Sequence, residues 1–155
     1  MFRLKRLGRL VPAFLITLVF VSSCTPGNAA PQISPLTESE VRAFADPIVE
    51  NFLYAINTGS YIDYTRDFTP TLKSNQSESY FSDINPRRLE AVGAYVSKEF
   101  SQLSFKSDRI NVVYKAKFVK EPADVIVSVY FKNISNKWYV DGITYDSPLM
   151  RENDC

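Results

Sequence analysis

Histidine is absent from the 155 residues of the sequence. Because histidine is the commonest general base and the commonest zinc ligand, its absence removes the usual form of both kinds of site. The sequence also contains no phosphate-binding loop, no nucleophile–base pair and no cluster of metal ligands. We therefore predict no metal site, no cofactor and no catalytic residues, and we expect a protein that is not an enzyme.

Long apolar runs are also missing. The N-terminal apolar run extends from Leu10 to Val21, which is 12 residues interrupted by Pro12 and Thr17, whereas a membrane-spanning helix needs roughly 20. It follows four basic residues and no acid. A basic segment followed by a short apolar run is typical of a secretory signal peptide.

Cysteine is scarce, and one of the two cysteines follows this run directly, in Val21-Ser22-Ser23-Cys24. This segment resembles a bacterial lipobox, which implies that residues 1–23 are a lipoprotein signal peptide and that Cys24 is acylated with palmitate or a similar chain. The alternative is ordinary secretion with cleavage after Ala29, which would discard Cys24. Two or more acyl chains suffice for stable attachment, so we expect a lipid-anchored protein on the cell membrane or outer membrane, facing the periplasm or the exterior.

After the leader, the chain has no excess of basic over acidic residues. With four of the 18 basic residues in the leader, 14 remain against 17 acids, a net charge of −3. This charge gives no electrostatic footprint for nucleic acid, and the Arg87-Arg88 pair is too small to supply one.

Residues 24–36, rich in proline and small residues, are predicted to be a flexible tether. Residues 151–155 are predicted to be a frayed tail ending in Cys155, a lone thiol or an intermolecular disulfide.

Residues 37–150 are predicted to form a single domain that begins with helices. Thr37 and Glu40 form a capping box ahead of an amphipathic face. Pro47 interrupts that face, so we expect a kink or a restart of the helix near Asp46. Gly59 is predicted to end the helix with a positive φ.

Two more helical segments are predicted before the strands. The first runs from Ser60 to about Phe68, and Thr69 is a candidate cap for the turn that follows. The second, over residues 75–92, is predicted to be broken at Pro86.

After Gly93 the apolar period changes from that of a helix to that of a strand. Segments at residues 94–105 are extended in character, and Ile110–Phe118 alternates cleanly between apolar and polar residues. Val125–Phe131 is apolar on both faces and is predicted to be central. The last strand is Trp138–Tyr145.

In the last strand, the alternation of apolar and polar residues shifts by one position at Asp141-Gly142. This shift predicts a β-bulge. Helices followed by strands indicate an α+β fold. We predict N-terminal helices packed on a curled four-stranded antiparallel sheet.

Several segments together resemble one known family. They are Asp46-Pro47-Ile48, Ile56-Asn57-Thr58-Gly59-Ser60-Tyr61, Tyr64-Thr65-Arg66-Asp67-Phe68, Gly93-Ala94-Tyr95-Val96-Ser97-Lys98-Glu99-Phe100, Tyr114-Lys115-Ala116-Lys117-Phe118, Asp141-Gly142-Ile143 and Asp146-Ser147-Pro148. The chain is similar over residues 38–152 to an uncharacterised family of small prokaryotic lipoproteins. The resemblance implies a cystatin-like, nuclear-transport-factor-2-like cone fold, and no known activity.

The resemblance implies a cone that holds a small apolar ligand, in a non-catalytic binding or interaction module. The candidate cone-lining residues are aromatic: Phe52, Tyr64, Phe68, Tyr95, Tyr114, Phe118, Tyr130, Trp138 and Tyr145. The alternative is that these side chains fill the core, as aromatic residues at helical or strand spacing usually do.

Two other functions stay open. The first is an isomerase-like or lyase-like enzyme that uses a buried Asp–Tyr pair in the cone, for which Asp67, Asp141 and Asp146 are the candidate acids. The second is a homodimer, or a complex with an envelope protein, formed through an apolar outer sheet face. The candidate residues for that face are Val113, Val119, Ile126 and Tyr130.

Overall fold

The computed structural model describes residues 36–153, with side chains up to residue 151. The predicted signal peptide, Cys24, the tether before Leu36, and Cys155 lie outside the described residues. Leu36 itself is half-buried and packs against the core, so the folded domain begins at least one residue before the capping box. Within residues 36–153, no helix combines the length and the apolarity needed to cross a membrane.

The elements follow the predicted order of helices first and strands second. They are α1 (Glu38–Thr58), α2 (Tyr61–Thr65), α3 (Pro70–Asn75), α4 (Glu78–Val92), β1 (Tyr95–Phe105), β2 (Ile110–Phe118), β3 (Val125–Ile134), β4 (Lys137–Asp146) and α5 (Pro148–Asn153). The strands form one antiparallel sheet in the order β1-β2-β3-β4. The predicted α+β fold with a four-stranded antiparallel sheet is confirmed.

Helix α1 begins and ends as predicted. The Thr37 side chain accepts from the Glu40 N–H and the Glu40 carboxylate accepts from the Thr37 N–H, which completes the capping box. Gly59 ends the helix at φ 66°. The predicted restart near Asp46 is wrong, because α1 runs uninterrupted through Pro47. Pro47 lies on the exposed side of the helix, and packing of the opposite face offsets its missing hydrogen bond.

Helix α4 resembles α1 in having a capped start and an exposed proline in its interior. Ser77 caps it by accepting from the Tyr80 N–H. The predicted break at Pro86 is wrong, since α4 continues to Val92 and Pro86 is exposed. Thr69 caps α3, as predicted.

The sheet is built from two interior strands and two outer ones. Alternate residues of β2, from Ile110 to Phe118, are buried, as predicted. Strand β3 is flanked on both sides, which confirms its central position. Strand β1 is one continuous strand of 11 residues whose register shifts twice against β2. Because of these register shifts, the alternation of inward and outward residues along β1 is not visible in the sequence.

The predicted bulge lies in β4. Tyr130 pairs with Gly142 and the next residue, Phe131, pairs with Val140, so Asp141 is the extra residue. The backbone of Val140 is bonded by the segment before α3: the Thr69 N–H donates to the Val140 carbonyl, and the Val140 N–H donates to the Asp67 carbonyl, each at 2.8 Å. This contact covers part of the open edge of β4.

The two ends of β4 are shaped by a turn and a helix. Ser135 and Asn136, both at positive φ (52° and 64°), form the two-residue turn that joins β3 to β4, as expected of a type I′ hairpin. After β4, helix α5 covers residues 148–153. The prediction of a frayed tail from residue 151 is therefore wrong for residues 151–153, which are helical.

Helix α1 crosses the inner face of the sheet. Phe44 stacks on Trp138 with ring centroids 5.0 Å apart and meets Phe131 edge-on at 5.4 Å. Buried residues of α1 such as Val49 and Leu53 belong to the same hydrophobic cluster as those of β2 and β3. The core therefore lies between α1 and the sheet.

Candidate functional site

Most of the predicted cone-lining aromatics lie in the packed core. Those at most 5% exposed are Phe52, Tyr64, Phe68, Tyr95, Tyr114 and Phe118. Tyr64 is the centre of one group, with its ring centroid 6.2 Å from that of Phe52, 5.1 Å from Phe68 and 4.7 Å from Phe81. These rings fill the space that an open cone would need.

The remaining candidates occupy three different places. Tyr130 pairs with Gly142 on the outer face of the sheet, and its ring lies over that glycine. Trp138 and Tyr145 each line a surface cavity. The structure therefore does not bring the nine residues together into one site.

Tyr145 lines a cavity of about 300 Å³ between α4, β4 and α5, which we call the α4–β4–α5 cavity. Its described lining residues are Tyr80, Ile84, Arg87, Arg88, Ala91, Tyr145 and Met150. Two of these are arginines and none is acidic, so the cavity favours an anion. Its size is at the lower end of the range for small-molecule sites.

Arg88 is the residue that distinguishes this cavity. It follows Phe81 and Asn85 at helical spacing, and these two are buried on the inner face of α4, so Arg88 points the same way. Its guanidinium carbon lies 4.5 Å from the centroid of the Tyr145 ring. Its Nη1 atom is buried and has no hydrogen-bond partner among the described residues.

The Tyr145 hydroxyl is likewise buried and without a hydrogen-bond partner in the described part of the chain. Burial raises the pKa of Tyr145 well above its usual value, so the hydroxyl stays neutral and does not balance the charge of Arg88. Tyr145 was a candidate cone-lining residue, but the role of Arg88 was not predicted, because in the sequence Arg87-Arg88 is only a basic pair too small to bind nucleic acid. The helical spacing of Phe81, Asn85 and Arg88 was the available signal.

Trp138 lines a second cavity, of about 440 Å³, at the other end of the sheet. Its walls come from the β1–β2 turn, Leu36 and the start of β4. Among its described lining residues Arg109 is paired, 3.7 Å from Asp108 and 3.1 Å from Asp141, and Lys106 is exposed to solvent. In this described lining, the cavity therefore has no buried, unpaired charged atom comparable to Nη1 of Arg88.

The three acids considered for catalysis all lie in ion pairs. Asp67 is 3.1 Å from Arg66. Asp141 is 3.1 Å from Arg109 and also accepts from the Thr69 hydroxyl. Asp146 is 3.3 Å from Arg151. None of the three is among the described residues that line the α4–β4–α5 cavity.

Two tyrosine–carboxylate pairs that the sequence did not suggest join α1 to the sheet. Tyr114 donates to Asp46 at 2.8 Å, and Tyr95 donates to Glu50 at 2.9 Å. Lys98 lies 3.3 Å from Glu50. Burial, together with these hydrogen bonds, raises the pKa of both tyrosines, so both remain protonated donors. This polar seam fixes the position of α1.

Three of the four candidate interface residues belong to the outer face of the sheet. Val113, Ile126 and Tyr130 lie on it and are half-buried, next to polar residues such as Ser128. Val119 is exposed but lies beyond the end of β2. The four residues therefore do not all lie on one face of the sheet.

Glu121 holds the α5 wall of the cavity. Its carboxylate is buried and accepts from the Ser147 hydroxyl and from the N–H groups of Leu149 and Ala123. The Ser147 hydrogen bond is the main cause of the lowered pKa of Glu121. The carboxylate therefore fixes the start of α5 in its ionised form.

Replacing Glu121 with glutamine should lower the melting temperature at neutral pH. Because the folded-state pKa is lowered, the stabilisation is fully present above the unfolded pKa of about 4.3 and disappears as the pH falls through the folded value. The difference between wild type and Glu121→Gln should therefore shrink below about pH 4.3. Thermal unfolding followed at several pH values checks this, with Glu99→Gln, an exposed strand position, as the control. A pH-independent difference would contradict it.

Comparison with known proteins gives likenesses of fold only. No protein family and no curated protein matches the chain. Similar solved structures include a variant of the protein Rd1NTF2_05, at 11% identity, covering 70% of this chain and 100% of that one, with a TM-score of 0.49.

A domain of unknown function with a cystatin-like fold from Nostoc punctiforme is 13% identical, covers 76% of this chain and 80% of that one, and has a TM-score of 0.47. An NTF2-like protein of unknown function from Cytophaga hutchinsonii is 12% identical, covers 65% and 88%, and has a TM-score of 0.33. At such values the similarity indicates no activity, and the fold assignment rests on the strand order and pairing.

Proposed function

We propose that this protein is a non-catalytic module that binds a small ligand in the α4–β4–α5 cavity, at a membrane surface outside the cytoplasm. The observation that carries the binding proposal is Arg88, a half-buried residue that lines the cavity with its Nη1 atom buried and without a carboxylate partner in residues 36–153. Unpaired polar groups at the wall of a concave site are typical of ligand recognition.

The membrane part of the proposal depends on the sequence. The lipobox-like segment before Cys24 and the basic leader support attachment through acyl chains. The domain at the end of the tether supplies the cavity, whose α5 wall is held by the Glu121 carboxylate.

The residues that surround the cavity support the non-catalytic part of the proposal. A proton-abstracting enzyme needs a general base within hydrogen-bond reach of the reacting atoms. The described lining residues offer two arginines and two tyrosines as polar groups. These groups bind and orient an anion, but none of them is a base at neutral pH.

Mass spectrometry of the full-length protein, extracted from membranes under native conditions, tests the proposal. We expect a diacyl or triacyl adduct on Cys24 and a small molecule that is released on denaturation. An unmodified N-terminus at Ala30 would end the membrane-anchor proposal. A protein that carries no small molecule, and that gains no thermal stability from any compound in a metabolite panel, would end the ligand-binding proposal.

Substitution of the two cysteines provides the matched control. Cys24→Ala should remove the adduct and release the protein from the membrane fraction, since the acylated atom is gone. Cys155→Ala should leave both unchanged. If both variants stay in the membrane fraction, the anchor is not at Cys24.

A further inference from the structure

The α4–β4–α5 cavity has the chemistry to recognise one class of ligand. We propose that it binds small carboxylates with an apolar body, the carboxylate paired with the Arg88 guanidinium. This inference rests on the ligand-binding function proposed above and specifies its ligand.

Arg88 differs from the other arginines that the structure describes. Five of the six arginines in residues 36–153 have a carboxylate oxygen within 4.0 Å: Arg42, Arg66, Arg87, Arg109 and Arg151. Arg88 has no such partner there. It is also the arginine with a buried nitrogen that lacks any hydrogen-bond partner in this range.

A buried guanidinium nitrogen without a hydrogen-bond partner costs folding free energy, because taking a charged group out of water is unfavourable even after relaxation. The Tyr145 ring, 4.5 Å from the guanidinium carbon, offsets part of this cost through a cation–π interaction. A bound anion would supply the remaining compensation, so the arrangement is better explained by a ligand than by stability of the free protein.

The ligand's head group follows from the donors. Arg88 Nη1 and the Tyr145 hydroxyl, on neighbouring side chains that both face Tyr64, lack a partner of good hydrogen-bond geometry in the described part of the chain. A carboxylate accepts from two donors at once. The second arginine of the cavity, Arg87, is exposed and already paired with Asp83 at 3.0 Å. One unbalanced positive charge therefore favours a monoanion over a phosphate dianion.

The ligand's body follows from the other walls. Ile84, Ala91 and Met150 are half-buried and present apolar surface next to the rings of Tyr80 and Tyr145. Both unsatisfied atoms are buried, so a head group reaches them by displacing part of this wall. Met150, unbranched and adaptable, is suited to such movement.

Calorimetric titration of the purified full-length protein with phenylacetate tests the inference, with phenylacetamide as the neutral probe of the same shape. We expect phenylacetate to bind about tenfold or more tightly than phenylacetamide, since a hydrogen bond to a charged group contributes about 1.5–3 kcal/mol. In Arg88→Met that preference should vanish. Arg87→Met, the matched control, should keep it. Tyr145→Phe should weaken phenylacetate binding severalfold.

Stability of the same variants separates a ligand-binding role from a structural one. Arg88→Met should unfold at the same temperature as wild type or higher, because the variant no longer buries an unpaired charge. A strongly lowered melting temperature would mean that Arg88 holds the fold, and would overturn the inference. Arg88→Lys, with its charge kept and its planar fork lost, should also fold and should bind phenylacetate less tightly than wild type.

The remaining outcomes divide the two proposals. Equal binding of phenylacetate and phenylacetamide, or tighter binding of phenyl phosphate, would overturn the carboxylate assignment and leave the ligand-binding function standing. If neither probe binds, the molecule that copurifies decides: a carboxylate supports the inference and a neutral compound overturns it. If neither probe binds and nothing copurifies, both proposals fail.

Discussion

Replacing Tyr114 with alanine should lower the free energy of unfolding by about 3–5 kcal/mol, the range for deleting a large buried aromatic side chain. Tyr114 is 0% exposed in the middle of β2. Its ring meets that of Phe100 edge-on at a centroid distance of 6.3 Å, and the Lys98 ammonium lies 5.0 Å from its centroid. Alanine would leave a cavity between α1 and the sheet that the surrounding backbone does not close.

The hydroxyl of Tyr114 contributes a smaller and separable part. It donates to Asp46 at 2.8 Å, but the Asp46 side chain is 33% exposed. Water therefore replaces part of the lost bond in Tyr114→Phe, and we expect a loss of only about 1 kcal/mol. The difference between the two variants measures the packing of the ring.

Urea unfolding followed through Trp138, the one tryptophan of the chain, checks both values. Trp138 stacks on Phe44 of α1, so its fluorescence reports on the packing of α1 against the sheet. Tyr54→Ala, at a position 60% exposed, should change stability by no more than about 0.5 kcal/mol. A loss below about 1 kcal/mol for Tyr114→Ala would contradict the assignment of Tyr114 to the core.

Gly93→Ala should cost about 3 kcal/mol for two separate reasons. Gly93 has φ 79° and ψ −169°, a backbone conformation almost restricted to glycine and costing about 1–3 kcal/mol for other residues. An added Cβ would also lie 3.0 Å from the Lys120 backbone nitrogen and 3.1 Å from the Val119 Cβ. The backbone has little freedom to relax, because the Lys120 N–H donates to the Val92 carbonyl at 2.9 Å.

Gly59→Ala is the matched control for Gly93→Ala. Gly59 also has positive φ, 66°, but an added Cβ there meets nothing within 4 Å. We expect a cost of about 1 kcal/mol, from the left-handed backbone alone. Equal losses for the two variants in urea unfolding would show that crowding at Lys120 is unimportant.

Local signals made much of the fold predictable. The capping box at Thr37, the glycine at Gly59 and the alternation of β2 each depend on residues close in sequence, and the structure confirms them. The bulge at Asp141 was visible because it shifts the apolar parity within one strand.

The errors arise where packing outweighs a local preference. Pro47 and Pro86 disfavour a continuous helix, yet each lies on an exposed face while the opposite face is held by the core. Helix α5 was missed because its start depends on Glu121, more than 25 residues earlier. Such a contact has no signature in the local sequence.

The candidate site was the least predictable part for the same reason. Arg88 and Tyr145 come together only when α4 packs near β4, so neither residue's spacing reveals the other. The aromatic residues that were predicted to line a cone are mostly large side chains that fill the core. Helical periodicity places Arg88 on the inward face of α4. Its role in a binding site becomes apparent only when the residues around it are known.

The strand order β1-β2-β3-β4 also bears on how fast the domain acquires its structure. Every strand pairs only with strands next to it in sequence, so each pairing closes a loop of a few residues and loses little chain entropy. Low sequence separation of contacts goes with rapid folding. The β3–β4 hairpin, closed by the two-residue turn of Ser135 and Asn136, closes the shortest loop in the sheet and therefore loses the least chain entropy.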